Sequence, residues 1–166
     1  MSSWFRSYGF AAVYDDLVIG AYPLDADDVR MLAALPVRRV LNLVQESEYH
    51  PREREQVVGA LKLAGIEERR LDLIDFGHLP AEQLETAVGT VLGWLDRPGA
   101  SYVHCRAGWQ RSAAVAAGAV ALREGIGIDD ALEYVRQRKP SADPLPHQRD
   151  DLRAWWTTRR RAVDGV

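Results

Sequence analysis

The chain has 166 residues, 47% of them hydrophobic, one cysteine and a formal net charge of −3 at pH 7. That length suits one domain with a sizeable core, spanning residues 1–166, and the acidic balance argues against nucleic-acid binding. No apolar run reaches the roughly 18 residues needed to cross a bilayer, the opening Met1-Ser2-Ser3-Trp4-Phe5-Arg6 lacks a secretory apolar region, and a lone cysteine excludes an intramolecular disulfide, so a reducing, cytoplasmic location is expected.

In chain order, Tyr8 to Val13 and Leu17 to Gly20 read as two short strands about a turn at Tyr14-Asp15-Asp16, with Pro23 closing the second. Asp25 can cap a helix running through Leu35, and Asp27 and Asp28 suit its first turn. Val37 to Leu43 is a Val/Leu-rich strand. The loop Gln45 to Pro51 leads to a helix from Arg52 to Ala64 that Gly65 ends. A strand runs from Ile66 to Leu71 or Leu73, a loop from Asp72 to Pro80, and a helix from Ala81 to Asp96. Ser101 to His104 forms another strand. After it come a long apolar helix, a helix from Asp129 to Lys139, a connector marked by Pro140, Pro144 and Pro146, and a last helix from Gln148 to Arg160 carrying Leu152, Trp155 and Trp156. Strands alternating with helices imply an α/β fold: a single mixed, mostly parallel sheet of about five strands with helices on both faces, joined by right-handed crossovers.

The stretch Val103-His104-Cys105-Arg106-Ala107-Gly108-Trp109-Gln110-Arg111-Ser112 joins the last strand to the apolar helix. If Cys105 ends the strand and Arg111 opens the helix, the intervening N–H groups can curl into an anion-binding nest with the helix N-terminus behind it. The same field lowers the pKa of a thiol at its base, and the Arg111 guanidinium can grip two phosphate oxygens. The spacing alone is weak. Nineteen of the 21 basic residues are arginines, so an Arg six places after a given Cys arises by chance roughly one time in nine. The setting sharpens it: a strand ending in His104, Gly108 inside the loop, Ser112 after the arginine, and then the run Ala113 to Leu122, apolar all round like a helix buried against a sheet.

With these residues the segment resembles the His-Cys-x5-Arg-Ser/Thr signature of the protein tyrosine phosphatase superfamily, dual-specificity branch. Leu17-Val18-Ile19-Gly20, Pro23, Val40-Leu41-Asn42, the Asp75-Phe76-x3-Pro80 loop, and Gln148 with Leu152 extend the likeness to small atypical members, nearest the branch that includes the mitochondrial-type phosphatidylglycerophosphate phosphatase. Gln110 departs from it, standing where a small residue is usual.

The strands ending near Leu43, Leu71 and His104 finish at one sheet edge, where open α/β folds bind ligands. Asp72 or Asp75 can therefore return to the Cys105 pocket. A thiolate attacking a phosphate monoester needs a carboxylic acid to protonate the leaving oxygen, and water then hydrolyses the cysteinyl-phosphate. The resemblance implies such a phosphatase, with Cys105 as nucleophile, Arg111 as phosphate clamp, Asp75 as general acid and Ser112 as the hydroxyl that stabilises the departing thiolate. His104 would order the loop and bias the thiol. Arg106, Ala107, Gly108, Trp109 and Gln110 complete the phosphate loop, and Trp109 at its crest either lines the substrate mouth or simply packs.

Phosphate, sulfate or vanadate should bind this loop. The expected substrate is a phosphoprotein carrying tyrosine, serine or threonine phosphate, with a lipid or inositol phosphate as the alternative. Asp72 follows a strand directly, whereas Asp75 lies further into a loop with Phe76 and Gly77, better able to swing over a substrate. Failing both, Glu46 or Glu48 would be the next acids to consider. His50, His78 and His147 lack metal-ligand spacing, and the mechanism requires neither metal nor cofactor. A phospho-binding pseudophosphatase would be expected to lose Cys105, Arg111 or the acid. A rhodanese-like sulfur transferase would need no upstream acid.

Overall fold

The computed structural model describes residues 1–164. Five strands form one sheet: β1 (Phe10–Tyr14), β2 (Leu17–Gly20), β3 (Val37–Asn42), β4 (Glu67–Arg70) and β5 (Ala100–His104). They lie in the order β1-β2-β5-β3-β4, with only the β1–β2 hairpin antiparallel. The helices are α1 (Ser3–Tyr8), α2 (Ala26–Ala34), α3 (Glu53–Leu63), α4 (Ala81–Trp94), α5 (Arg111–Glu124), α6 (Ile128–Arg138) and α7 (Pro146–Asp164). This is the mixed, mostly parallel architecture expected.

Successive residues of a strand point to opposite faces, and the buried residues sort accordingly. Leu17, Ile19, Leu41 and Val103 join one core with α4, α5, α6 and α7, while Val18, Val40 and Tyr102 join a second with α1, α2 and α3. Residues 111–121 of α5 are all buried, so the all-round apolar run is the helix enclosed between the sheet and its helical neighbours. The edge strand β4 reads Glu-Glu-Arg-Arg, charges that keep an exposed edge from pairing with another chain.

Four expectations need correction. Tyr8 is not in a strand: Ser2 caps a short helix by accepting from the Phe5 N–H at 3.0 Å, and Gly9 ends it at φ +64°, so β1 begins at Phe10. Asp28, expected only to favour the first turn of α2, is fully buried and accepts from the Ser2 N–H at 2.7 Å and its hydroxyl at 2.6 Å, fastening α1 to α2. A third correction concerns β4, which stops at Arg70. Beyond it Leu71 N and Leu73 N still bond the carbonyls of Asn42 and Leu43, at 2.9 and 3.3 Å, but the chain is already leaving the ladder. The last helix is also longer than expected, because Pro146 serves as its first residue.

Asn42 and Gly20 flank His104 in register on either side. The C-terminal ends of β2, β5 and β3 therefore share one edge, and the loops that leave it face one another.

Candidate active site

Cys105 follows β5 and is 3% exposed. Its sulfur lies 3.4 Å from the Ser112 hydroxyl. Burial pushes the thiol pKa up, but the Arg111 charge, the Ser112 hydroxyl and the N–H groups of Ser112 and Gln110 outweigh it, leaving the thiol below its ordinary value. These N–H groups turn toward the sulfur where α5 begins. Gln110, where a small residue is usual in the family the segment resembles, sits at the N-cap of α5 and makes no side-chain capping bond.

The loop is braced by backbone. Gly108 adopts φ +74° and presses against β2: a Cβ there would stand 2.3 Å from the Gly20 carbonyl carbon. Tyr22 N donates to the Arg106 carbonyl at 3.1 Å, and Asp143 N to the Trp109 carbonyl at 2.7 Å.

Arg111 is 1% exposed and its guanidinium is held from several directions. Its Nη1 donates to the Leu73 carbonyl at 2.9 Å and the Leu43 carbonyl at 3.3 Å, and its two terminal nitrogens each reach one Glu48 oxygen at 2.8 Å. Nη2 also meets Asp75 Oδ1 at 2.9 Å. Only Nε lacks an acceptor. For Glu48, burial raises the pKa, but the Arg111 hydrogen bonds, the Gln45 N–H and the charges of Arg111 and Arg106 overcome it, holding the carboxylate ionised. Glu48 is thus placed as an anchor for Arg111, not as a proton donor. Glu46 instead pairs with Arg70 at 2.9 Å at the surface.

Glu48 owes its aim to a 3-10 turn, Glu46–Glu48, closed by a capping box in which Gln45 N donates to Glu48 Oε2 at 2.8 Å. Gln45 Oε1 also accepts from the Asp75 N–H at 3.3 Å, joining this turn to the acid-bearing loop. Neither Gln45 nor the anchoring role of Glu48 was anticipated. The pattern Gln45-x-x-Glu48 is the signal that could have found the turn, though not its partner. Of the two candidate acids, Asp75 lies against Arg111, whereas Asp72 is 53% exposed and pairs with Arg70 at 3.5 Å.

His104 is 1% exposed, and its Nδ1 lies 3.3 Å from the Cys105 carbonyl. Burial lowers its pKa to about 4, with the opposing Glu68 charge too weak to restore it. It is therefore neutral at pH 7, and a ring N–H at Nδ1 is placed to donate to that carbonyl. Arg106 pairs with Glu53 at 3.2 Å and lies over the rings of Trp4 and Tyr22, 5.0 and 5.1 Å from their centroids. Trp109 packs on Tyr8 with centroids 5.3 Å apart and remains 42% exposed at the crest. Ala107 is half-buried within the loop. Among the described residues no three His, Cys, Asp or Glu side chains gather to hold a metal ion, and no helix is long and apolar enough to cross a membrane.

No protein-family model and no curated protein matches the chain. Solved structures do. It is similar to PTPMT1, at 24% identity and a TM-score of 0.79 over 93% of this chain and 99% of that one. Tk-PTP in its active form aligns at 20% identity and a TM-score of 0.75, covering 87% of this chain and 95% of that one. Human DUSP28 does so at 21% and 0.71, covering 91% and 95%. The fold is the one these phosphatases share.

Two outcomes follow from the loop. Gly108→Ala forces a Cβ into backbone at a positive φ, so it should abolish the thermal shift given by vanadate or phosphate and lower stability by about 1–3 kcal/mol. His104 stays neutral in the folded chain down to about pH 4, whereas an unfolded histidine takes up its proton near 6.5. Its contribution is therefore whole above pH 6.5 and is lost as pH falls through about 4, on the order of 3 kcal/mol. Urea midpoints measured between pH 7 and 4.5 should fall more steeply in the parent than in His104→Gln.

Proposed function

We propose that this chain is a cysteine-dependent phosphomonoester hydrolase working through a cysteinyl-phosphate. One observation carries the reading: the Nε–H of buried Arg111 has no acceptor in the protein, beside a thiol held below its ordinary pKa. A buried donor without a partner costs about 1–3 kcal/mol, and an equatorial phosphoryl oxygen would satisfy it where charge is transferred. The Cys105 thiolate attacks phosphorus and forms the S–P bond as the ester P–O bond breaks. Asp75 gives its proton to the leaving oxygen. A water then attacks the cysteinyl-phosphate and yields its proton to the Asp75 carboxylate, while the S–P bond breaks and Ser112 donates to the departing thiolate. Loop N–H groups and Arg111 stabilise the phosphoryl oxygens throughout. The presence of Cys105, Arg111 and Asp75 together weighs against a phosphate-binding domain without turnover.

The substrate we favour is a phosphoprotein, with dual specificity for tyrosine and serine or threonine phosphate, in the cytoplasm, where a lone thiolate stays reduced. A phosphorylated lipid is the second reading. It is favoured by exposed apolar side chains on the catalytic and acid loops, Trp109 at 42%, Ile74 at 57% and Phe76 at 66% exposure, and by the PTPMT1 structure in complex with PI(5)P, which is 22% identical. Phosphate release measured across phosphotyrosine, phosphoserine and phosphothreonine peptides, phosphatidylglycerophosphate, phosphoinositide vesicles and soluble inositol phosphates decides between them.

An aryl phosphate should be hydrolysed without added metal, and Cys105→Ser should abolish turnover while retaining vanadate binding. Chelator-sensitive turnover, or an active serine variant, would sink the mechanism. Asp75→Asn should cripple hydrolysis of phenyl phosphate far more than that of an ester with an acidic leaving group. Asp72→Asn should leave both rates near those of the parent, and the reverse pattern would move the acid to Asp72.

A further inference from the structure

Four polar groups of the loop that carries Asp75 are tied to the first turns of α7. The Gln148 side chain, fully buried, donates from Nε2 to the Gly77 carbonyl at 3.0 Å. His147 Nε2 lies 3.0 and 3.2 Å from the carbonyls of Phe76 and Gly77, to which it can only donate. Asp151 accepts from the Leu79 N–H at 2.8 Å and meets His78 Nδ1 at 2.9 Å. Residues 147, 148 and 151 lie within little more than one helical turn, so a single rigid element grips the loop.

The grip holds a conformation the loop would not keep unaided. Phe76 stands at φ +56°, a region costly for an aromatic residue, and a Cβ at Gly77 would come within 2.7 Å of Ile74 Cγ2. Asp75, the residue just before Phe76, is the one whose carboxylate reaches Arg111 at 2.9 Å. Gln148 also faces the other way: its Oε1 accepts from the Leu145 N–H at 3.1 Å, in the same connector whose Asp143 N–H holds the Trp109 carbonyl at 2.7 Å. One buried amide thus links the crest of the nucleophile loop to the acid loop.

We infer that Gln148, supported by His147 and Asp151, is the positioning residue of the acid step, fixing Asp75 relative to the Cys105 loop. The inference rests on the reading of Asp75 as the general acid. Gln148→Leu removes both bonds at nearly constant volume. It should lower kcat for phenyl phosphate at least tenfold and for an ester with an acidic leaving group no more than about threefold, with KM and the pH dependence of Cys105 alkylation by iodoacetate unchanged.

Combined with Asp75→Asn it should add no further loss, because both variants remove one function. Asp151→Ala, at a less buried position, should show the same leaving-group selectivity to a smaller degree, and it carries the test if Gln148→Leu does not fold. Equal losses for both esters, or a shifted alkylation profile, would mean a merely structural role and overturn the proposal. Selectivity in Asp75→Asn but in neither α7 variant would also overturn it and leave the acid assignment standing. No selectivity in Asp75→Asn would instead remove the acid reading itself.

Discussion

Arg111 carries a full positive charge at 1% exposure, and the surrounding architecture supplies what keeps that charge buried. Removing one partner of a buried pair typically costs about 3–5 kcal/mol, so the acceptors around a guanidinium are as constrained as the guanidinium itself. Here they come from three separate segments: the Leu43 carbonyl just past β3, Glu48 in the 3-10 turn, and Leu73 with Asp75 beyond β4. Each must end at the same sheet edge as β5. The parallel register that sets Asn42 beside His104 and Arg70 beside Asn42 meets that requirement.

The electrostatics of Cys105 follow from the same placement. Burial alone would keep Cys105 protonated, and it is the nearby guanidinium, with the Ser112 hydroxyl and two loop N–H groups, that reverses the sign. His104, one residue earlier and equally buried, is pushed the other way and stays neutral. The site therefore does not place a second cation next to Arg111 in the depth of the loop, where the two charges would repel.

What the sequence made legible was whatever depends on neighbours in the chain. The short apolar stretch Leu17 to Gly20 beside its turn, the Val/Leu-rich Val37 to Leu43, the all-round apolar α5, and the strand-loop-helix around Cys105 all have local signatures. The N-terminal helix was missed because Trp4, Phe5 and Tyr8 favour strands by type, while the deciding evidence, Ser2 on buried Asp28, spans 26 residues. Glu48 was seen only as a spare acid, since nothing local says that its carboxylate will meet an arginine 63 residues away. The α7 residues that grip the acid loop were invisible for the same reason. Gln148 could be noted from the resemblance, but its two partners, 71 residues upstream and three residues upstream, appear only in the folded chain.

The two loops of the site are braced by different means, and this bears on what can vary. The Cys105 loop is held largely by backbone: Gly108 against Gly20, Tyr22 N on Arg106 O, Asp143 N on Trp109 O. Such contacts are indifferent to most substitutions in the bracing segments, Gly108 and Gly20 excepted, so the loop can persist while the rest of the sequence drifts. A fold recognisable at 20–24% identity is consistent with that. The acid loop is held by side chains, those of Gln45, His147, Gln148 and Asp151, about a left-handed Phe76. Side-chain bonds are lost or retuned by single substitutions. The loop of Asp75, with its apolar rim of Ile74 and Phe76, is therefore the part of the site that single substitutions in α7 or the 3-10 turn can reshape, while the backbone-braced loop of Cys105 keeps its form.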